Sequence, residues 1–154
     1  MGDEHTDRND VALALDVADA ADAFTLPHFE KRDFTVDWKT NATEVTEIDR
    51  GAESLIVDAL TTARPDHGVF GEEHGLAGNV DSEWRWVIDP IDGTSGFVRG
   101  IPVWATLIAL THRRVPVLGV VSAPALGLRW WGGVGLGAHV ATRGTSRQMR
   151  VSTV

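Results

Sequence analysis

Two aspartates stand three positions apart in the segment VIDPIDGT (residues 87–94), at the end of an apolar run. A proline follows Asp89 and a glycine follows Asp92. The proline fixes the backbone between the two acids and the glycine permits a sharp turn, so the carbonyl of Ile91 can join the carboxylates as an oxygen donor. Taken alone, the segment also fits an ordinary turn, because Asp-Pro and Asp-Gly are common turn formers.

A second acidic pair, Glu72 and Glu73, ends another apolar segment. If the two segments are neighbouring strands, all four acids meet at one edge of a sheet. Two carboxylates about 4 Å apart repel by roughly 4 kcal/mol at an effective dielectric near 20, so such acids must separate, bind protons or share cations. The chain has no Cys, and oxygen donors suit Mg²⁺. The acids therefore predict a magnesium site.

The elements that must position these acids are two helices followed by strands. Asn9 or Asp10 is predicted to cap the first helix, which ends near Pro27. Thr46 opens a second helix, with Asp49 completing a variant of the capping box. Short segments rich in Val, Ile and Trp follow, and these predict strands. The fold class is α+β, with two helices packed on a mostly antiparallel sheet.

Composition limits the function classes. The chain has 154 residues, 43% of them apolar, which is enough for one domain over residues 1–154. No apolar run reaches membrane-spanning length and the N-terminus is acidic, so a cytoplasmic protein without membrane contact is expected. The net charge of −8 argues against nucleic acid. All 22 acids lie at or before Asp92. Most of the charges fit two solvated faces of one domain, and the alternative is that the acids nearest Asp92 hold cations while basic groups such as Arg99 help to receive an anion.

Three motifs together resemble those of the inositol monophosphatase family of Mg²⁺-dependent phosphatases. They are VTEID (45–49), GEEHG (71–75) and DPIDGT (89–94), in that order. Two later segments, FVRGIPVWATLIAL (97–110) and GVVSAPALGLRWW (119–131), look most similar to the actinobacterial histidinol-phosphatase branch. The resemblance implies that the chain is the N-terminal, metal-binding part of the sugar phosphatase fold of this family.

The resemblance also implies a set of metal ligands. Glu72, Asp89 and the Ile91 carbonyl would hold one metal, and Asp89 would bridge to a second metal that Asp92 also holds. Glu73 would be a neighbour of this site and not a principal ligand.

Catalytic roles follow from the same resemblance. Asp49 and Thr94 would form a hydrogen-bonded pair that, with Glu72, orients and deprotonates the attacking water. The residues that would contact the substrate are Glu72, Ile91, Asp92, Gly93, Thr94 and Ser95, and backbone amides at the last three would receive phosphate oxygens.

Three other residues have expected positions in or near the site. Lys39 resembles a lysine that precedes the first motif in this family, although the stretch around it lacks the usual Pro-Asp-Gly character. His74 is predicted to be a loop residue rather than a ligand. Trp104 could line the substrate cavity.

The resemblance implies a phosphomonoesterase that acts on a small-molecule phosphate monoester as a homodimer. The expected reaction is hydrolysis of L-histidinol phosphate in histidine biosynthesis, and the alternative is inositol-1-monophosphatase or a related sugar phosphatase. In this family a second α/β half follows, so residues 1–154 alone are expected to have weak or absent activity. A metal- or phosphate-binding fragment, and an interaction module with an exposed sheet edge, stay open as alternatives.

Overall fold

Three α-helices and ten strands form within residues 7–153, the part of the chain that the computed structural model describes. Residues 1–6, on which the expectation about a secretory signal partly rests, lie outside the described residues, as does Val154. The helices are α1 (Arg8–Lys31), α2 (Glu47–Ala63) and α3 (Thr94–Arg99). The strands are β1 (Val36–Trp38), β2 (Glu44–Thr46), β3 (Gly68–Gly71), β4 (Gly75–Gly78), β5 (Trp84–Asp92), β6 (Ala105–His112), β7 (Val115–Ala123), β8 (Leu128–Gly133), β9 (Gly137–Thr142) and β10 (Thr145–Met149).

Eight of these strands form one sheet in the order β10-β9-β8-β7-β6-β5-β3-β4. All neighbours pair antiparallel except β3 and β5, which run parallel. The predicted α+β class with a mostly antiparallel sheet is therefore confirmed. Strands β1 and β2 pair separately as a two-stranded sheet.

The core lies between one face of the large sheet and helices α1 and α2. Alternate strand residues such as Trp86 and Leu110 are fully buried against helix residues such as Ile56. Burying one such side chain contributes about 1.5–3 kcal/mol, so this face stabilises the arrangement of helices on sheet. On the other face, Phe70 and Val87 are 44% and 38% exposed.

Helix α1 differs from its predicted bounds at both ends. Its N-cap is Asp7, whose side chain accepts the Asn9 N–H at 2.8 Å, rather than Asn9 or Asp10. The helix also continues past Pro27 to Lys31. Beyond the proline, the ring centroids of Phe29 and Trp104 lie 5.4 Å apart. This packing stabilises a final turn that proline alone would disfavour.

Helix α2 agrees with the prediction. Thr46 caps it through a complete capping box with Asp49, and the helix ends at Ala63, before Pro65. The sequence did not predict the short strands β1, β2, β4 and β9 or the six-residue helix α3. Within residues 7–153, no helix is long and apolar enough to cross a membrane.

Candidate active site

A bulge at the end of β5 brings the two aspartates of the DPID segment together. Asp89 pairs with Leu107 and Asp92 pairs with Ala105, so three steps along β5 match two along β6. In a regular strand, side chains three positions apart point to opposite faces. The extra residue reverses that alternation, which places both carboxylates on the same side.

Glu72 joins them because β3 and β5 run side by side in parallel. Gly71, the last residue of β3, is in register with Ile88, so Glu72 emerges beside Asp89. Burial, the charge of Glu72 with its hydrogen bond, and the charge of Asp92 together raise the pKa of Asp89 to about 7. The Ile91 N–H, 3.2 Å from Asp89 Oδ1, opposes this rise. The predicted convergence of acids at one sheet edge is therefore present. We refer to Glu72, Asp89 and Asp92 together as the acidic corner.

Lys39 reaches this corner from the turn between β1 and β2. Its Nζ lies 3.1 Å from Glu72 Oε1 and 2.5 Å from Glu73 Oε1. Burial acts to lower the pKa of Lys39, but the two glutamates outweigh it and raise that pKa. The ammonium group thus balances part of the local negative charge.

The donor atoms at this corner suit a hard divalent cation. Among residues 7–153, no three His, Asp or Glu side chains are grouped closely enough to hold a metal ion as they stand. Glu72, Asp89 and Asp92 nevertheless lie close enough for their charges to act on one another, and the donors they offer are all oxygen. Oxygen-only sets are typical of Mg²⁺ sites, which also keep several waters.

Asp49 and Thr94 form the predicted hydrogen-bonded pair. Thr94 Oγ1 lies 2.9 Å from Asp49 Oδ1 and 3.0 Å from the Ile91 carbonyl oxygen. Asp49 Oδ2 accepts hydrogen bonds from the N–H and the hydroxyl of Thr46, at 2.8 and 2.6 Å. Asp49 is 2% exposed, and so its carboxylate is fixed by the cap of α2 while it holds Thr94.

Gly93 starts α3 in a left-handed conformation, with φ of 91°. Its φ value favours glycine, and a Cβ there would come within 3.1 Å of the Val103 carbonyl oxygen. Thr94 and Ser95 follow as the first helical residues. The first amide groups of a helix have no acceptor within it, which leaves them available to an anion.

Ser95 and Arg99 are committed to Glu44. Ser95 Oγ donates to Glu44 Oε2 at 2.5 Å, and Arg99 Nη1 donates to the same oxygen at 2.7 Å. The hydrogen bond from Arg99, followed by that from Ser95, lowers the pKa of Glu44. Arg99 is paired with Glu44 in this structure, and the expectation that it helps to receive an anion stays a prediction.

A cavity of about 400 Å³ opens beside Asp92 and Gly93. Val103, Trp104 and Trp130 are among its lining residues. Trp104 is only 3% exposed and packs against Phe97, so it forms part of a rigid wall. The cavity places apolar surface next to the acidic corner.

The sequence analysis missed Glu53, which is completely buried in α2. Its carboxylate accepts hydrogen bonds from the backbone of Glu73 and His74. His74 is thus a loop residue, and both its backbone N–H and its Nδ1 contact Glu53. The signal available in the sequence was the spacing of four from Asp49, which puts both acids on one face of a helix.

Comparison with known proteins assigns the chain to a family. The model of the inositol monophosphatase family matches residues 7–154. The chain belongs to the inositol monophosphatase family. This family is generally metal-dependent and acts on small-molecule phosphate monoesters. The acidic corner lies where all three motifs of the family resemblance converge.

Similar proteins are known by sequence and by structure. The chain is 50% identical over 151 residues to a histidinol-phosphatase of Streptomyces coelicolor, covering 95% of this chain and 56% of that protein. It is 46% identical to a histidinol-phosphatase of Mycobacterium tuberculosis, with the same coverage of both chains. The extragenic suppressor protein suhB of Bartonella henselae superposes with a TM-score of 0.84 at 31% identity, over 94% of this chain and 55% of that one. The chain therefore spans about half the length of these relatives.

Proposed function

We propose that the whole protein is a Mg²⁺-dependent phosphomonoesterase that hydrolyses L-histidinol phosphate, and that residues 1–154 supply its metal-binding half. The observation that carries this proposal is the meeting of Glu72, Asp89 and Asp92 at one corner, beside the Asp49–Thr94 pair. Family membership supports the reaction class, and the two histidinol-phosphatases at 50% and 46% identity support the substrate.

Glu72, Asp89, Asp92 and the Ile91 carbonyl would hold the cations in this proposal. A bound divalent cation supplies charge neutralisation for the phosphoryl oxygens and the leaving alkoxide, and it makes water a better nucleophile. The acidic corner needs such neutralisation, because burial and neighbouring carboxylates already raise the pKa of Asp89.

The remaining residues would orient and deprotonate the attacking water. Asp49 accepts the Thr94 hydroxyl hydrogen, so the Thr94 oxygen can accept a hydrogen bond from water. The water oxygen forms a bond to phosphorus as the bond from phosphorus to the alcohol oxygen breaks. The Asp49, Thr94 and Glu72 group takes the proton from the attacking water, and the departing alcohol oxygen takes up one proton from bulk water. The group then releases its proton to solvent, so that ester and water give alcohol and phosphate. No covalent enzyme intermediate is required, so the lack of Cys is no obstacle to this reaction.

The substrate would lie across the start of α3 and the adjacent cavity. Amide groups of Gly93, Thr94 and Ser95 would receive phosphate oxygens. The cavity walled by Trp104 and Trp130 offers space for the alcohol part. The Ser95 side chain is bonded to Glu44, so its backbone is the part that remains for phosphate.

A substrate panel tests the proposal. Phosphate release from L-histidinol phosphate and from inositol 1-phosphate is measured with and without Mg²⁺, using the whole protein and residues 1–154. We expect Mg²⁺-dependent release from L-histidinol phosphate by the whole protein, its loss in Asp92→Asn, and weak or absent release by residues 1–154. Faster release from inositol 1-phosphate would favour the alternative substrate, and release that ignores Mg²⁺ would contradict the mechanism.

A metal- or phosphate-binding fragment without catalysis is the second candidate for residues 1–154. Residues 1–154 span 56% of each histidinol-phosphatase relative, and this candidate keeps the proposed metal ligands without requiring turnover. Calorimetry separates this candidate from an active enzyme. It would show heat of Mg²⁺ binding to a chain that releases no phosphate from either substrate.

A further inference from the structure

Glu53 is a carboxylate of α2 that is fully buried. Its side chain is 0% exposed, yet it belongs neither to the proposed metal ligands nor to the water-activating pair. Glu53 Oε2 accepts the Glu73 N–H at 2.7 Å, and Oε1 accepts the His74 N–H at 2.7 Å. His74 Nδ1 lies 3.1 Å from the same Oε1.

These contacts take the place of strand pairing in a tight turn. Strand β3 ends at Gly71 and β4 begins at Gly75, so residues 72–74 form the connection. Their amide groups need acceptors, and Glu53 supplies acceptors for two of them. A carboxylate oxygen buried without a hydrogen-bond partner is costly, and the two turn amides satisfy both oxygens of Glu53. The buried Glu53 carboxylate is therefore expected to stay hydrogen-bonded to the turn.

Gly71 makes this close approach possible. A Cβ at that position would lie 2.2 Å from Glu53 Oε1, a distance that no side chain could tolerate without movement. The Glu53 carboxylate can thus lie this close to the turn because Gly71 has no side chain.

Helix α2 carries Glu53 one turn after Asp49. Residues four apart share a helix face, and these two are 0% and 2% exposed. Asp49 bonds to Thr94, while Glu53 bonds to the residues that directly follow Glu72. One rigid helix is therefore joined to both sides of the acidic corner.

We infer that Glu53 is a positioning residue that sets the direction of Glu72 toward Asp89 by holding the backbone of Glu73 and His74. Through Glu53 and Asp49, α2 fixes the proposed metal ligand and the proposed water-activating pair relative to each other. This inference rests on the proposed function for its catalytic meaning, and on the observed contacts for its structural part.

The test compares Glu53→Gln with Asp58→Asn in the full chain. Asp58 is exposed on the same helix, so its variant removes the same charge without touching the turn. An amide side chain keeps one oxygen and directs hydrogens at a backbone N–H, which breaks part of the contact. Hydrogen exchange of the Glu73 and His74 amides and calorimetric Mg²⁺ affinity are measured together with the melting temperature.

We expect Glu53→Gln to lose at least tenfold protection at these two amides and to bind Mg²⁺ about 10–100-fold more weakly, the range found when a residue supporting a metal ligand is changed. Asp58→Asn should match the wild type. Unchanged exchange and unchanged Mg²⁺ affinity in folded Glu53→Gln would overturn the inference. If the wild type itself binds no Mg²⁺, the proposed metal site is wrong, while the exchange comparison still decides whether Glu53 holds the turn.

Two further measurements keep the inference open to refutation if Glu53→Gln does not fold. In the wild type, the Glu73 and His74 amides should exchange slowly although they lie in a turn, and fast exchange would overturn the inference. Gly71→Ala should release the same two amides, because its Cβ displaces the carboxylate. Gly119→Ala is the matched control, since a Cβ there meets nothing within 4 Å.

Discussion

At the level of single residues, the acidic corner stands out because its charges are only partly balanced. Lys39 contacts Glu72 and Glu73, while Asp89 and Asp92 have no such cation beside them among the ion pairs of residues 7–153. Burial, together with the charges of Glu72 and Asp92, raises the pKa of Asp89. Two residue-level predictions follow from these charges, one on protons and one on cations.

Without divalent cations, Asp89 should make the protein less stable as the pH rises. Its folded pKa of about 7 lies above its ordinary value of 3.8. Between these values the folded state binds more protons than the unfolded state, so the free energy of unfolding falls as pH increases from about 4 to about 7. Because Asp89 is partly exposed, we expect about 1–2 kcal/mol at most.

Urea unfolding in EDTA at pH 5 and pH 8 measures this effect. The fall should be smaller in Asp89→Asn, which cannot ionise, and unchanged in Asp58→Asn. Equal pH dependence in the wild type and Asp89→Asn would contradict the assignment of the raised pKa to Asp89.

Replacing Lys39 by methionine should strengthen Mg²⁺ binding. The ammonium group lies 3.1 Å from Glu72 Oε1 and therefore repels a cation at the same carboxylate. Removing one positive charge nearby should raise Mg²⁺ affinity about 3–10-fold in partly screened surroundings. Titration calorimetry of Lys39→Met, with Lys31→Met at the end of α1 as the control, checks this. Weaker binding in Lys39→Met would mean that Lys39 helps to build the site rather than compete for it.

At the level of elements, the cap of α2 serves both the helix and the site. Thr46 Oγ1 accepts the N–H groups of Ile48 and Asp49 at 3.2 Å, and the Thr46 hydroxyl donates to Asp49 Oδ2. Thr46→Ala should therefore lower the free energy of unfolding by about 1 kcal/mol, the typical value for loss of an N-cap. Urea denaturation measures this loss. Thr46→Ser keeps the hydroxyl and should stay close to the wild type, and equal loss in both variants would show that packing of the methyl group matters more than the cap.

The sequence predicted those elements whose signals are local. The capping box fixed α2 from Thr46 onward, and short segments rich in Val, Ile and Trp located β5, β6 and β7. The convergence of Glu72 with Asp89 followed from placing their strands side by side, and the parallel pairing of β3 with β5 bears this out. The predictions for both ends of α1 were wrong. At the C-terminal end, packing of Phe29 against Trp104 extends the helix past Pro27.

The features that the sequence did not predict depend on contacts between distant segments. The bulge between Asp89 and Asp92 exists only relative to β6. Glu53 is recognisable as a partner of the turn only when α2 packs beneath it. Arg99 looked like a free cation because Glu44, 55 positions away, gives no sign in the sequence of pairing with it.

At the level of the whole molecule, the large sheet is unequally covered. Its helix-facing side is buried, whereas Phe70 and Val87 on the other side are 44% and 38% exposed. The interaction-module alternative concerns an exposed sheet edge, and among the described residues the large sheet ends at β10 and β4. Unpaired strand edges favour association, so this alternative remains a prediction with a direct test. Light scattering of residues 1–154 over a range of concentrations should show association if a sheet edge drives it. A monomer at all concentrations would count against that alternative.

Mg²⁺ should stabilise the whole fold, because a ligand that binds only the folded state raises the free energy of unfolding. At a Mg²⁺ concentration 100 times its dissociation constant, the gain is about 2.7 kcal/mol. For a domain of this size each kcal/mol corresponds to roughly 2–4 °C, so the melting temperature should rise by about 5–10 °C.

NaCl at matched ionic strength separates binding from screening, which acts on all charges. Asp92→Asn should lose most of the rise because it removes a carboxylate from the corner, whereas Asp58→Asn should keep it. An equal rise in NaCl, or a full rise in Asp92→Asn, would mean that Mg²⁺ acts elsewhere on the acidic surface and that the carboxylates at the end of β5 have a purely structural role.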